Sequence, residues 1–124
     1  MTAIKESSTR NSNKELYTLM CPITHVMNKI GNHWKPIILF QLMSGTKRYN
    51  ELRKAIPAIT EKMLIQHLKE LQSDNLVERE VVAVMPPVVT YKLSELGRDL
   101  EPVLSAMVEW ALKDNFRFPE EEQM

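Results

Sequence analysis

A chain of 124 residues, 44% apolar and 26% charged, is sized for one soluble globular domain that needs no metal or disulfide staple. One cysteine, Cys21, and three glycines exclude an internal disulfide and a glycine-rich phosphate loop, and the lone thiol points to a reducing compartment, the cytoplasm. The formal net charge of zero excludes an overall basic protein, yet it conceals a segregation along the chain.

Residues 29–69 hold eight lysines and arginines against two glutamates, a net of +6. Residues 70–124 hold five basic against twelve acidic residues, a net of −7. One contiguous basic segment is the footprint expected of an anionic partner. No run approaches the ~20 apolar residues of a membrane span, and the polar start does not read as a signal peptide. His25, His33 and His67 lack metal-ligand spacing, and H-E-x-x-H, C-x-x-C and G-x-S-x-G are absent. The expectation is a non-enzyme with no cofactor, no metal and no membrane.

In chain order, residues 1–13 are Ser/Thr/Asn/Lys-rich without periodicity and read as a flexible arm. A short helix is predicted over 14–19. Cys21 then caps a second helix that Pro22 opens and Gly31 ends. Residues 34–43 are apolar nearly all round, the pattern of a buried central helix, with Pro36 in its first turn and Gly45 beyond its end. Residues 47–49 suit a short extended segment. Asn50 is the expected N-cap of a short helix over 51–56 that Pro57 closes.

Thr60 caps a longer helix over 61–73, with Asn75 where a left-handed residue should end it. Two β-branched runs, 76–84 and 88–94, flank Met85-Pro86-Pro87 and predict a hairpin with a wide tip. Ser94 caps a last helix that Pro102 should kink or divide. The tail, 116–124, is acidic and is expected to fray. Residues 14–115 thus form a single domain.

A short helix, a turn and a capped longer helix make a helix-turn-helix, and the following hairpin makes it winged. On the 61–73 helix, Leu64, Leu68 and Leu71 share one face. Lys62, Gln66, Lys69 and Ser73 share the opposite face, predicted to carry no carboxylate. Lysines suit phosphates, and glutamine suits the adenine edge in the major groove.

At this point the chain resembles the HxlR-type winged-helix transcriptional regulators, relatives of the MarR-type repressors. The likeness rests on Cys21-Pro22, Gly31-x-x-Trp34-Lys35-x-x-Ile38-Leu39 and Arg48-Tyr49-Asn50-Glu51-Leu52. It continues through Ile59-Thr60-x-Lys62-x-Leu64, Leu68-Lys69-x-Leu71, Leu76-Val77-x-Arg79, and Pro86-Pro87 with Tyr91-x-Leu93-Ser94-x-x-Gly97. The implied fold is α+β and mostly helical, a winged helix-turn-helix with added N- and C-terminal dimerisation helices.

The implied activity is regulation of nearby genes by a homodimer that binds double-stranded DNA, often in response to reactive electrophiles or oxidants. Arg48, Asn50, Arg53, Thr60, Lys62, Ile65, Gln66, Lys69 and Arg79 are the candidate DNA contacts. The chain departs from the family at Ile65, often Ser or Thr, at Val82, often aromatic, and at Val88, often basic. Its wing tip, 84–88, has no cation, so Arg79 and Lys92, further back, are the expected phosphate contacts of the hairpin.

Cys21 is the candidate redox-sensing residue, because a helix N-terminus favours thiolate. A lone cysteine is also commonly a small buried hydrophobe, and both readings stand. Leu96, Leu100, Val103, Met107 and Trp110 are spaced 4, 3, 4 and 3 residues apart, beside Leu104, Val108 and Ala111. That apolar arc is wider than one core contact needs. Leu100, Leu104, Met107, Val108, Trp110 and Ala111 are therefore the expected dimer interface. A reading from another class is a winged-helix module that binds protein without DNA, which neutral charge and an apolar wing tip would suit.

Overall fold

The computed structural model describes residues 20–119. The predicted arm and the helix over 14–19 lie outside them. The element order is α1 (Pro22–Ile30), α2 (Lys35–Leu42), β1 (Lys47–Arg48), α3 (Tyr49–Ala55), α4 (Glu61–Ser73), β2 (Val77–Val82), β3 (Val88–Leu93), α5 (Glu95–Arg98) and α6 (Glu101–Lys113). The architecture is a winged helix-turn-helix, mostly helical with a small antiparallel sheet of order β1-β3-β2. No described helix is long and apolar enough to cross a membrane.

The core sits where α2, α3 and α4 meet. Ile38, Leu39, Leu42, Leu52, Leu64, Leu68 and Leu71 are all fully buried there. Helix α2 puts Ile38, Leu39 and Leu42 into the core but leaves Phe40 exposed, so it is not buried all round as its composition suggests. Pro36 falls in its first turn, where a missing N–H costs nothing. Gly45 follows with φ +132, a conformation open to glycine and strained for other residues.

The predicted hairpin forms, its register placing Val77 opposite Leu93, Arg79 opposite Tyr91 and Val82 opposite Val88. Tyr91 and Leu93 are buried with Lys92 exposed between them, whereas Val88, Val89 and Thr90 are all half-buried, so the alternation holds only at the end of the strand. The short extended segment becomes a third strand, pairing Lys47 with Tyr91 and Arg48 with Thr90. Pro102 divides the last helix: α5 stops at Arg98 and α6 starts at Glu101 with Pro102 in its first turn.

Both long C-terminal turns use asparagine. Asn75 (φ 63) and Asn115 (φ 74) are left-handed, and each sits in a Schellman arrangement. After α4, the Asn75 N–H bonds the Gln72 carbonyl at 3.0 Å and the Leu76 N–H bonds that of Leu71 at 2.9 Å. After α6, the Phe116 N–H bonds the Ala111 carbonyl at 2.9 Å. The chain then turns back, so that Phe116 and Phe118, in T-shaped contact at 5.2 Å, reach an apolar groove between α2 and α6.

Candidate nucleic-acid interface

The helix-turn-helix is α3, a turn over 56–60 and α4. One correction falls at its start: Asn50 is not a cap. Helix α3 begins at Tyr49 and its N-cap is Arg48, whose N–H donates to the Glu51 carboxylate at 2.6 Å. The pairing of Arg48 with Thr90 in the sheet fixes where extended chain gives way to helix, and Glu51 satisfies the exposed N–H there. Asn50 is instead an exposed residue of the first turn.

The turn is held from inside by buried Ile56 and Ile59. Thr60 caps α4 as predicted, its hydroxyl accepting from the Met63 N–H at 3.1 Å. Arg53 of α3 pairs with Glu61 of α4 at 3.2 Å, closing the turn from outside.

Leu64, Leu68 and Leu71 face the core, joined by His67 at 8% exposure. Lys62, Gln66, Lys69 and Ser73 face solvent, flanked by Ile65 at 40% exposure. The outer face is not free of carboxylate, however. Gln66 Nε2 donates to Glu70 Oε2 at 3.2 Å, while Lys35 Nζ of α2 meets Glu70 Oε1 at 2.7 Å. His67 Nδ1 lies 3.5 Å from that same oxygen, an ion pair only when the ring is protonated. Lys35, then Gln66, hold the Glu70 carboxyl down at about 2. A helical projection places Glu70 beside the face; only the side-chain reach brings it onto Gln66.

Between α4 and the wing lies a cleft of about 480 Å³, lined by Tyr49, Glu61, Ile65, Lys69, Gln72, Arg79, Val89 and Tyr91. It brings together Ile65, Lys69 and Arg79 of the expected DNA contacts. Tyr49 and Gln72 were not expected there, since neither carries charge and their place depends on how the hairpin packs. Arg79 lies opposite Tyr91, on the cleft side of the sheet. Lys92 is on the other side, 3.7 Å from Glu78 across the strands, so the two hairpin cations do not act together. The wing tip, 83–87, carries exposed Val84 and Met85 and no cation.

Lys47, Arg48, Lys54, Lys62, Lys69 and Arg79 make no ion pair among the described residues. The basic segment is thus left largely uncompensated around the helix-turn-helix and the base of the wing.

A family model described as HxlR-like helix-turn-helix matches residues 29–117. The chain belongs to this family of transcriptional regulators. Among relatives of this HxlR-like protein is the uncharacterized HTH-type transcriptional regulator YdeP of Bacillus subtilis (strain 168). It is 46% identical over 93 residues, covering 75% of this chain and 73% of that protein. The redox regulator HypR, solved in its oxidized form, superposes with a TM-score of 0.72 at 41% identity, over 80% of this chain and all (100%) of that one. The reduced form of the transcriptional regulator YodB from B. subtilis gives 0.66 at 39%, over 73% of this chain and 90% of that one.

Cys21 is the N-cap residue of α1 and half-buried. No capping hydrogen bond closes onto its side chain. The backbone N–H of Thr24, then the Thr24 hydroxyl and the Ile23 N–H, nevertheless lie close enough to lower the thiol pKa. Helix α1 buries only Ile30 and leaves Ile23 and Met27 exposed.

Of the expected interface residues, Leu104 is taken by the protomer's own core at 3% exposure, and Leu100 packs half-buried against that core. Met107 and Trp110 are exposed at 52% and 66%, with Val108 and Ala111 half-buried between them. Met107, Val108 and Ala111 also line the groove that Phe116 and Phe118 close, a space of about 260 Å³.

Proposed function

We propose that this HxlR-like protein is a sequence-specific, double-stranded-DNA-binding transcriptional regulator that works as a cytoplasmic homodimer, with α4 in the major groove. The observation that carries the reading is the set of uncompensated cations around α4 and the wing base: Lys62, Lys69 and Arg79, with Arg48 at the start of α3. Lys62, Lys69 and Arg79 hold phosphates, Gln66 reads a base, and Ile65 meets a thymine methyl. Arg53 is engaged by Glu61 and positions α3 against α4, with Thr60 fixing the start of the reading helix.

The homodimer reading is supported by apolar surface that one protomer leaves uncovered, Ile23 and Met27 on α1 with Met107 and Trp110 on α6. Sensing of an oxidant or electrophile through Cys21 draws on its helix-terminal position and on a named redox regulator among the structural relatives.

The deciding experiment is binding to the DNA upstream of the protein's own gene as a function of salt. If the dimer neutralises ~6–8 phosphates, log K falls against log salt with a slope of about −5 to −7. Half-sites should lie about one helical turn apart, ~34–36 Å or a multiple. The exposed apolar wing tip, with Met85 at 95% exposure, favours a second reading as a protein-binding winged helix. No duplex binding at low salt would remove the regulator reading and leave that one standing.

A further inference from the structure

We propose that Glu70 sets which base the recognition helix accepts, by holding the Gln66 amide in one orientation. The inference rests on the reading of α4 as the DNA-reading helix and deepens it. Glu70 uses both carboxylate oxygens: Oε1 takes Lys35 Nζ at 2.7 Å, and Oε2 takes Gln66 Nε2 at 3.2 Å. An ionised carboxylate only accepts hydrogen bonds. If the Gln66 amide flipped, its Oε1 would face the carboxylate, acceptor against acceptor. The amide is therefore held with Oε1 turned away from Glu70 and one N–H left to donate.

An amide–carboxylate pair one turn apart on a helix surface would ordinarily exchange with water. Here the carboxylate is anchored from a different helix. The Lys35 side chain is only 11% exposed, and its backbone N–H is bound to Asn32 Oδ1 at 2.7 Å. A chain of contacts thus runs from the α1–α2 turn through Lys35 and Glu70 to the amide of Gln66. The low pKa of Glu70 keeps the carboxylate ionised across the working pH range.

The consequence is a choice between purines. One acceptor and one donor match the N6 amino group and N7 of adenine. Guanine offers two acceptors, N7 and O6, and needs two donors, of which Gln66 has one already committed. The Glu70 charge also repels that acceptor-rich edge, a selection against the wrong base as well as for the right one.

The test is parallel selection from a randomised pool of double-stranded DNA with the wild-type protein and the Q66A, E70A and E70Q variants. The position whose preference disappears in Q66A is the base that Gln66 reads. There the wild type should favour adenine over guanine, and E70A should reduce that ratio about fivefold or more. Its binding to random DNA should be undiminished, because a negative charge has left the interface. E70Q keeps an acceptor for Gln66 but loosens the grip of Lys35, so it should retain more of the preference than E70A and less than wild type. This isosteric variant carries the test should E70A fail to fold.

An unchanged ratio in both Glu70 variants would overturn the proposal. So would guanine preference in the wild type, no altered position in Q66A, or an equal loss at every position, which marks a merely structural role. Failure of the wild type to bind any duplex is a distinct result: it removes the regulator reading and this inference with it.

Discussion

The Ser94 hydroxyl donates to the Asn75 carbonyl at 2.5 Å, joining the end of α4 to the start of α5. The same hydroxyl accepts from the Gly97 N–H at 2.9 Å, and the Ser94 N–H donates to the Leu76 carbonyl at 3.0 Å. Ser94 is buried, and all these groups are satisfied by one another. Helix α4 and the C-terminal helices are therefore fixed to each other through Ser94. A shift of α6 in a dimer would reach α4 through this joint.

Replacing Ser94 with Ala removes a cap and leaves the Asn75 carbonyl and Gly97 N–H without their partner. A loss of about 1–2 kcal/mol is expected in urea unfolding. A change within ~0.5 kcal/mol, the usual range for an ordinary surface site, would show that the joint contributes little.

Gly97 is required for a different reason. A Cβ placed there would lie 2.1 Å from the Leu76 carbonyl oxygen and 3.4 Å from Leu93 Cβ. The nearer atom is backbone and already accepts from Ser94, so it cannot withdraw without breaking the joint. Gly97→Ala should cost about 2 kcal/mol or more, at the upper end of overpacking effects. A melting temperature equal to wild type would contradict the close approach.

Where the sequence is legible, a local rule and the tertiary packing agree. Thr60 caps α4 and the helix covers the predicted residues, because a capping oxygen and a leucine stripe at 64, 68 and 71 demand the same start and the same face. Pro102 divides the last helix for want of an N–H, wherever the helix packs. The misreadings depend on distant partners. Asn50 loses the cap to Arg48 because β1 pairs with β3, some 40 residues on. Glu70 reaches Gln66 as part of a cluster anchored by Lys35 of another helix. The return of Phe116 and Phe118 needs a left-handed Asn115 and a groove built by α2 and α6.

Glu70 also predicts a pH dependence of stability. Its folded-state pKa, about 2, lies below the ordinary carboxylate value of 4.5. The stabilisation is therefore fully present above about pH 4.5 and is lost as the pH falls through about 2. With 43% of its side chain exposed, solvent screening limits the effect to about 1 kcal/mol or less. The wild type should be more stable than E70Q near neutral pH, by roughly that amount, and the difference should vanish in acid. A difference that stays constant down to about pH 2 would count against the ion pair.

At the DNA surface, Gln66 and Lys69 should fail differently. Gln66→Ala should cost ~1–3 kcal/mol on the cognate site and little on random duplex, since a base contact carries sequence information. Lys69→Ala should weaken both alike and make the dimer's salt slope shallower by about 2, one phosphate contact per protomer, because such a contact releases counterions from any sequence. Equal losses on both DNAs for Gln66→Ala would exclude its assignment as a base reader.

Cys21 constrains its own chemistry by being the one cysteine of the chain. With no resolving thiol in the same protomer, oxidation must end in a sulfenic acid, a mixed disulfide with a small thiol, or a bridge to Cys21 of the partner subunit. Each product adds bulk or a link at the start of α1. The far end of that helix is coupled to the end of α4: Lys29 meets Asp74 at 3.3 Å, and the neighbouring Ile30 is buried in the core. A displaced α1 would thus move both recognition helices of a dimer and alter their spacing against the two half-sites. The lowered thiol pKa predicts alkylation that is faster at neutral pH than for an ordinary cysteine. Diamide should change the DNA affinity of the wild type and leave Cys21→Ser unchanged. Slow alkylation, with DNA binding indifferent to diamide in both proteins, would leave Cys21 as a packing residue at the helix start and assign regulation to an effector other than a thiol oxidant.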